Sequence, residues 1–289
     1  MLLAMAIGDA YGSAFEYAPA EFVEAHNYLD QYHQHPHWDK LKPGCYTDDT
    51  QMALAVAEHV LSCQPWTKEL LAGRFLSAFH RDRRRGYSAG FYHFLKRVKS
   101  ADDFIASIDN CSYKSGGAMR AAPCGAFSSI EVVKSRAALQ ASVTHDTIEG
   151  RNAASAVALA AHYFLYDLGP KRDLGAFLDK HVSTGGHDKW NTRWTGPVEA
   201  WGWMAVQAAL TAIMDNDYMS GILQQSVAFT GDTDTVAAIA LSIAACSNEV
   251  TDDIPQVLCN QLEDGTYGRQ YISDLNRHFL ERVAIWRRG

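Results

Sequence analysis

Residues 47–51 read Thr47-Asp48-Asp49-Thr50-Gln51 and lead into Met52, Leu54, Ala55, Val56, His59, Val60 and Leu61. Apolar positions at this spacing make an amphipathic helix. Thr and Asp suit its start because their oxygens accept the unpaired N–H groups of the first turn. The arrangement recurs far down the chain, where Gly231-Asp232-Thr233-Asp234-Thr235 precedes Val236, Ala237, Ala238, Ile239, Ala240, Leu241 and Ile243. Two Asp/Thr clusters, each aimed by a buried helix start, make a hard-oxygen metal site if the fold brings them together.

On either side of these clusters helical periodicity dominates, over 1–10, 50–63, 67–80, 90–99, 117–127, 130–143, 150–167, 197–214, 219–229, 235–247 and 268–286. No stretch alternates β-branched residues between turns, so the expected class is all-α. The run Ala153-Ala154-Ser155-Ala156-Val157-Ala158-Leu159-Ala160-Ala161 is apolar on most sides and belongs at the centre of a bundle.

With 289 residues, 47% of them hydrophobic, the chain can bury roughly three quarters of its unfolded surface and reads as one domain, 1–289. A net charge of −7 argues against a general polyanion binder, so nucleic acid is expected only as a modified acceptor. The scattered cysteines contain no C-x-x-C pair and read as reduced and mostly buried. No segment reaches the length of about 20 apolar residues that a membrane span needs. The apolar start Met1 to Ile7 lacks a basic region and a cleavage-type sequence, so a cytoplasmic location is expected.

Several loops bear on chemistry. Gly8-Asp9-Ala10-Tyr11-Gly12-Ser13-Ala14-Phe15-Glu16 combines two glycines with an acid at each end. His33, His35 and His37 alternate around Pro36 without a Cys or acid partner, which favours a solvated loop over a transition-metal site. Arg81-Asp82-Arg83-Arg84-Arg85 leads into Gly86-Tyr87-Ser88-Ala89-Gly90-Phe91. Cations there complement a helix dipole, while the Gly/Ser turn opening the next helix presents N–H groups to a phosphate; both readings stay open. In Ser112-Tyr113-Lys114-Ser115-Gly116-Gly117-Ala118-Met119-Arg120 the small residues allow close packing with Arg120 on a buried acid, or Tyr113 offers a ring to a base. His145 precedes the Ala-rich helix, where a structural hydrogen-bonding role is the default. The tryptophans Trp190, Trp194, Trp201 and Trp203 read as core.

In this order, Gly8-Asp9-x-x-Gly12-Ser13…Glu16, Tyr46-Thr47-Asp48-Asp49-Thr50, Arg85-Gly86-Tyr87, Gly116-Gly117-Ala118-Met119-Arg120, Thr144-His145 and Gly231-Asp232-Thr233-Asp234-Thr235 make the chain resemble the ADP-ribosylglycohydrolases. The resemblance runs from Ala4 to about Pro255. It implies an all-α, compact orthogonal multi-helix bundle with two Mg²⁺ (or Mn²⁺) ions. Thr47, Asp48, Asp49, Asp232, Asp234 and Thr235 match the metal positions, and Glu16 matches a mobile acid that gates the cleft. Gly86, Ser88, Ala89, Gly90, Phe91 and Ser112 would hold the diphosphate. Tyr113 would lie along the nucleoside, Gly117 and Met119 belong to the substrate motif, and His145 would contact the ligand.

Converging carboxylates repel unless cations neutralise them, and Asp/Thr oxygens without Cys select Mg²⁺, Mn²⁺ or Ca²⁺ over Zn²⁺. Paired ions can orient vicinal ribose hydroxyls and polarise a water. The implied reaction is hydrolysis at the anomeric ribose carbon through an oxocarbenium-like transition state, with Asp49, Asp234 and Glu16 as the candidate catalytic acids. The implied partners are an ADP-ribosylated protein, linked through arginine or serine, or a small acceptor, with ADP-ribose as product. The rival expectation is a protein that binds ADP-ribose or an ADP-ribosylating toxin without full turnover. Lys114-Ser115 stands where the family commonly has Gly-Asn, adding a cation beside the nucleoside cleft. Acceptor selectivity is expected in the regions 33–38 and 180–195.

Overall fold

The computed structural model describes residues 1–288. In chain order its helices are α1 (Leu2–Gly12), α2 (Ala20–His26), α3 (Asp48–Ser62), α4 (Lys68–Arg81), α5 (Ala89–Arg97), α6 (Ala101–Ser107), α7 (Ile130–Ser142), α8 (Ile148–Leu165), α9 (Leu174–His181), α10 (Gly202–Asp215), α11 (Met219–Ala228), α12 (Thr233–Ala244), α13 (Gln256–Gln261) and α14 (Arg269–Trp286). Among the described residues there is no strand, and extended segments meet only at isolated bridges. The all-α expectation holds. One continuous apolar core draws residues from Met1 to Val283. No described helix is long and apolar enough to cross a membrane.

The core is organised by α1, α8 and α12. Every residue of α12 is buried, as is α8 from Ala153 to Leu165, so the Ala-rich stretch sits centrally as its composition requires. α1 lies directly on α12, and glycine permits the approach: a Cβ on Gly8 would stand 2.5 Å from the Ala237 carbonyl oxygen. One on Gly12 would stand 2.6 Å from that of Thr233. The Thr233 hydroxyl donates to the Gly12 carbonyl at 2.9 Å, locking the end of α1 to the start of α12.

Three expectations about elements change. The helix expected over 117–127 is two short 3₁₀ turns, Ser115–Gly117 and Ala122–Ala126. Pro123 lacks an N–H, and Gly125 lies so close to α8 that a Cβ would meet the Ala158 oxygen at 2.7 Å. The helix expected from 197 starts at Gly202; Val198 instead pairs with Gly231, and Trp201 with Lys114. Finally α2, α6, α9 and α13, of seven, seven, eight and six residues, are too short to show a periodic pattern.

Side-chain placement brings its own corrections. The six cysteines are unpaired, but only Cys124 is buried, while Cys63 and Cys111 are exposed. His35 is buried rather than solvated. Trp190 is core, whereas Trp201 is exposed and lies against Tyr113 with ring centroids 4.4 Å apart.

Candidate metal centre and ligand cleft

Asp9, one turn from the end of α1, holds the start of α3. Its fully buried carboxylate accepts from the Thr47 N–H at 3.0 Å, the Thr50 N–H at 3.0 Å and the Thr50 hydroxyl at 2.6 Å. Burial pushes its pKa up to about 6 even though the hydrogen bonds from Thr50 and Thr47 pull it down. Thr47 caps the helix, its Oγ1 accepting from Asp49 N–H at 3.3 Å. Asp48 and Asp49 thus stand in the first turn of α3 with the helix dipole behind them.

The opposing half is set by backbone geometry. Thr230 and Gly231 both have positive φ, 64° and 83°, which turns the chain so that Asp232 caps α12. This turn is pinned from two sides: Asp232 N–H donates to Val198 O at 2.8 Å, and Tyr17 N–H to Gly231 O at 2.8 Å. The second contact carries the neighbouring Glu16 to the same place. Glu16, Asp232 and Asp234 each offer an oxygen, and the three lie within 4.8 Å of one another.

Burial, then mutual repulsion, raises Asp49 and Asp234 well above the usual carboxylate range, and Asp48 and Glu16 likewise. Asp232 is raised by burial alone, opposed by hydrogen bonds from Asp234, Ser115 and Thr235. Oδ2 of Asp49 and Oδ2 of Asp232 are buried without a hydrogen-bond partner. Unsatisfied buried carboxylate oxygens among uncompensated acids are the donor set a hard divalent cation requires. The residues present fit such ions.

These acids line a cleft of about 650 Å³. Gly86, Ser88, Gly90 and Phe91 form one wall, and Gly86 is needed there: its φ is +99°, and a Cβ would sit 2.2 Å from Asp48 Oδ1. The turn is tied to the acids by Asp48 N–H donating to Arg85 O at 3.1 Å, and is backed by buried Tyr87, whose hydroxyl donates to Gln51 at 2.7 Å. α5 begins here, and its first turn carries N–H groups with no partner inside the helix. Ser112, Lys114, Ser115, Gly116, Met119 and His145 line the facing side.

Beneath that side lies a buried cation. Arg120 donates to Gln140 Oε1 at 2.7 Å, to Gln140 O at 3.0 Å and to Thr144 Oγ1 at 2.7 Å, and stacks on Phe75 at 4.2 Å. Its partners are neutral groups rather than the buried acid the sequence suggested, and burial lowers its pKa to about 10. Because Thr144 accepts from Arg120, its own O–H donates to His145 Nδ1 at 2.7 Å. Burial and Arg120 push the imidazole down to about 3, so it is neutral and carries its proton on Nε2, beside Gly116 in the cleft wall.

The family profile of the ADP-ribosylglycohydrolases matches residues 1–288. The chain belongs to the ADP-ribosylglycohydrolase family. It is similar to ADP-ribosylhydrolase ARH3 of Homo sapiens, 33% identical over 179 residues, covering 55% of this chain and 47% of the human protein. Against ADP-ribosylhydrolase ARH3 of Xenopus tropicalis it is 31% identical over 198 residues, covering 63% of this chain and 55% of the other. The chain therefore spans about half the length of the curated relatives it matches. A solved structure described as an ADP-ribosylglycohydrolase-related protein complex superposes with a TM-score of 0.73 at 22% identity, covering 99% of this chain and 96% of that one, which establishes the fold.

In this family member the cleft brings together Glu16, Asp48, Asp49, Asp232, Asp234 and Thr235 with Gly86, Ser88, Gly90, Phe91, Ser112, Met119 and His145. Four expected site residues lie off its wall. Thr47 is buried as the cap of α3, and Ala89 is exposed at the start of α5, outside the lining. Gly117 packs beneath His145, where a Cβ would stand 3.2 Å from that side chain. Tyr113 is exposed against Trp201. Sequence reading gave no role to Asp9 or to Gln140 and Thr144, which orient Arg120 and His145. The signal for Asp9 was an acid inside an otherwise apolar helix, which must find donors.

Proposed function

We propose that the chain is a binuclear-metal-dependent hydrolase that cleaves the anomeric ribose bond of ADP-ribosyl groups and releases ADP-ribose from a modified protein or small acceptor. The observation that carries this reading is the convergence of Glu16, Asp232 and Asp234 within 4.8 Å, in a cleft that Asp48 and Asp49 also line. Asp48, Asp49, Asp232, Asp234 and Thr235 would hold two Mg²⁺ or Mn²⁺ ions, with Thr47 completing the helix start. Such ions supply charge neutralisation, a template for vicinal ribose hydroxyls and an acidified water.

The chain's own groups do the rest. The α5 turn receives the diphosphate on backbone N–H groups, fixing the ribose against the acids by contacts remote from the reacting carbon. His145 donates its Nε2 proton to the bound ligand. Asp49 or Asp234 takes the proton of the attacking water. Glu16, half-buried and raised by its neighbours, can carry a proton at the mouth of the acid cluster, where the leaving group departs.

The test is ADP-ribose release from arginine-, serine- and nucleic-acid-linked substrates with Mg²⁺. EDTA, Asp48→Ala and Asp232→Ala should each abolish release; turnover persisting in either variant would overturn the proposal.

A further inference from the structure

A second cavity, of about 390 Å³, adjoins the cleft and shares Glu16 and Gly86 with it. Its remaining walls are the loop from His37 to Leu41 together with Arg85 and Tyr87. Neither the acids nor the diphosphate turn needs this space. It meets the cleft at the acid end, where the bond from ribose to acceptor must lie if the diphosphate rests on α5.

The loop is held to the acid cluster by His35. Nδ1 of this buried ring accepts from the N–H groups of His37 and Trp38 at 3.0 and 3.1 Å. Its proton is therefore on Nε2, which donates to the Glu16 carbonyl at 2.8 Å. The ring also stacks on Trp38, centroids 4.0 Å apart and planes 6° from parallel. One imidazole thus fixes an indole that remains 42% exposed and anchors the backbone of the acid that both cavities share.

Two cations, Lys40 and Arg85, stand with that indole around the cavity. Arg85 and Lys40 are exposed, and neither has a carboxylate within 4.0 Å among the described residues. Elsewhere in the same run Arg81 pairs with Glu58 and Arg84 with Asp82 and Glu263, while Arg83 lies over the Phe79 ring. Both cations line the cavity, in a chain of net charge −7. The acids of this cavity are Asp39 in the loop and Glu16 at the junction with the cleft.

We propose that this cavity is the acceptor subsite and that it takes an acidic stretch of polypeptide. The modified residue enters at Glu16 and Gly86, flanking Asp or Glu side chains rest on Arg85 and Lys40, and Trp38 supplies an apolar platform. An acceptor rich in Lys or Arg meets unpaired cations instead. A polynucleotide gains the same two contacts but is repelled by the acidic remainder of the molecule. The inference rests on the ADP-ribosyl-hydrolase reading above.

The experiment uses the full chain with Mg²⁺ and peptides carrying one ADP-ribose through one linkage, flanked either by Glu or by Lys, alongside an ADP-ribosylated oligonucleotide. The expected kcat/KM favours the Glu-flanked peptide by roughly five- to tenfold at low salt, the worth of two exposed ion pairs. The double variant Lys40→Glu/Arg85→Glu should erase or reverse that preference while its calorimetric affinity for free ADP-ribose stays unchanged. Equal rates, a preference for Lys flanks, faster turnover of the oligonucleotide, or an unaltered preference in the double variant would overturn the subsite. Peptide affinities measured by anisotropy in EDTA decide it separately. A flank preference in binding with no release from any substrate would refute the hydrolase and leave the subsite standing.

Discussion

At Asp9 three donors from the start of α3 converge on one buried carboxylate. Asp9→Ala leaves them all without an acceptor, and the expected loss of stability is on the order of 3 kcal/mol, read by urea denaturation. Asp9→Asn retains one acceptor oxygen and should lose less. In both variants Mg²⁺ affinity, followed by calorimetry, should fall because Asp48 and Asp49 are no longer aimed. Gly86 poses a separable test. A methyl group there would collide with Asp48 Oδ1 on an exposed turn, so Gly86→Ala should reduce ADP-ribose release by roughly tenfold or more with only a small change in melting temperature. Charged and small residues at fixed spacing made the acids and this glycine readable in the sequence. The partners of Asp9, Arg120 and His35 were not, because each bond joins residues at least 19 positions apart and depends on how helices cross.

Among the elements, the pairing of α1 with α12 carries the site, since one helix holds Asp9 and the other begins behind Asp232. Gly8→Ala places a methyl 2.5 Å from a backbone oxygen of α12, which cannot yield without separating the helices. The expected cost is about 1–3 kcal/mol in differential scanning calorimetry. Gly73→Ala in α4 is the contrasting case: its Cβ meets nothing closer than 3.6 Å, so the gain in helix propensity should leave the protein unchanged or stabilised by up to about 1 kcal/mol. The long helices were legible because their apolar period spans several turns. The segment 117–127 misled because small apolar residues suit a helix by composition, while Pro123 and the contact of Gly125 with α8 impose a tighter turn. Likewise residues 197–201 continue the apolar pattern of α10 but are drawn into bridges with Gly231 and Lys114.

For the molecule as a whole, the acid cluster sets how stability responds to pH and metal. Asp9 moves from 3.8 to about 6, and Asp48, Asp49, Asp234 and Glu16 shift upward too. Between those values the folded chain holds protons that the unfolded chain has released. Metal-free stability therefore falls as pH rises through that window. Cations reverse this by giving the ionised acids partners, so the rise in melting temperature on adding Mg²⁺ should be larger near about pH 7.5 than near about pH 5. A rise independent of pH would show that the acids do not hold the metal. The contact between α1 and α12 also governs the order of events during synthesis. The glycine-notched face of Leu2–Gly12 has no partner until Thr233–Ala244 is made, 221 residues separating Gly12 from Thr233. That apolar helix must wait for a contact among the most distant in the sequence, which slows folding and leaves the nascent chain open to chaperone capture until α12 emerges.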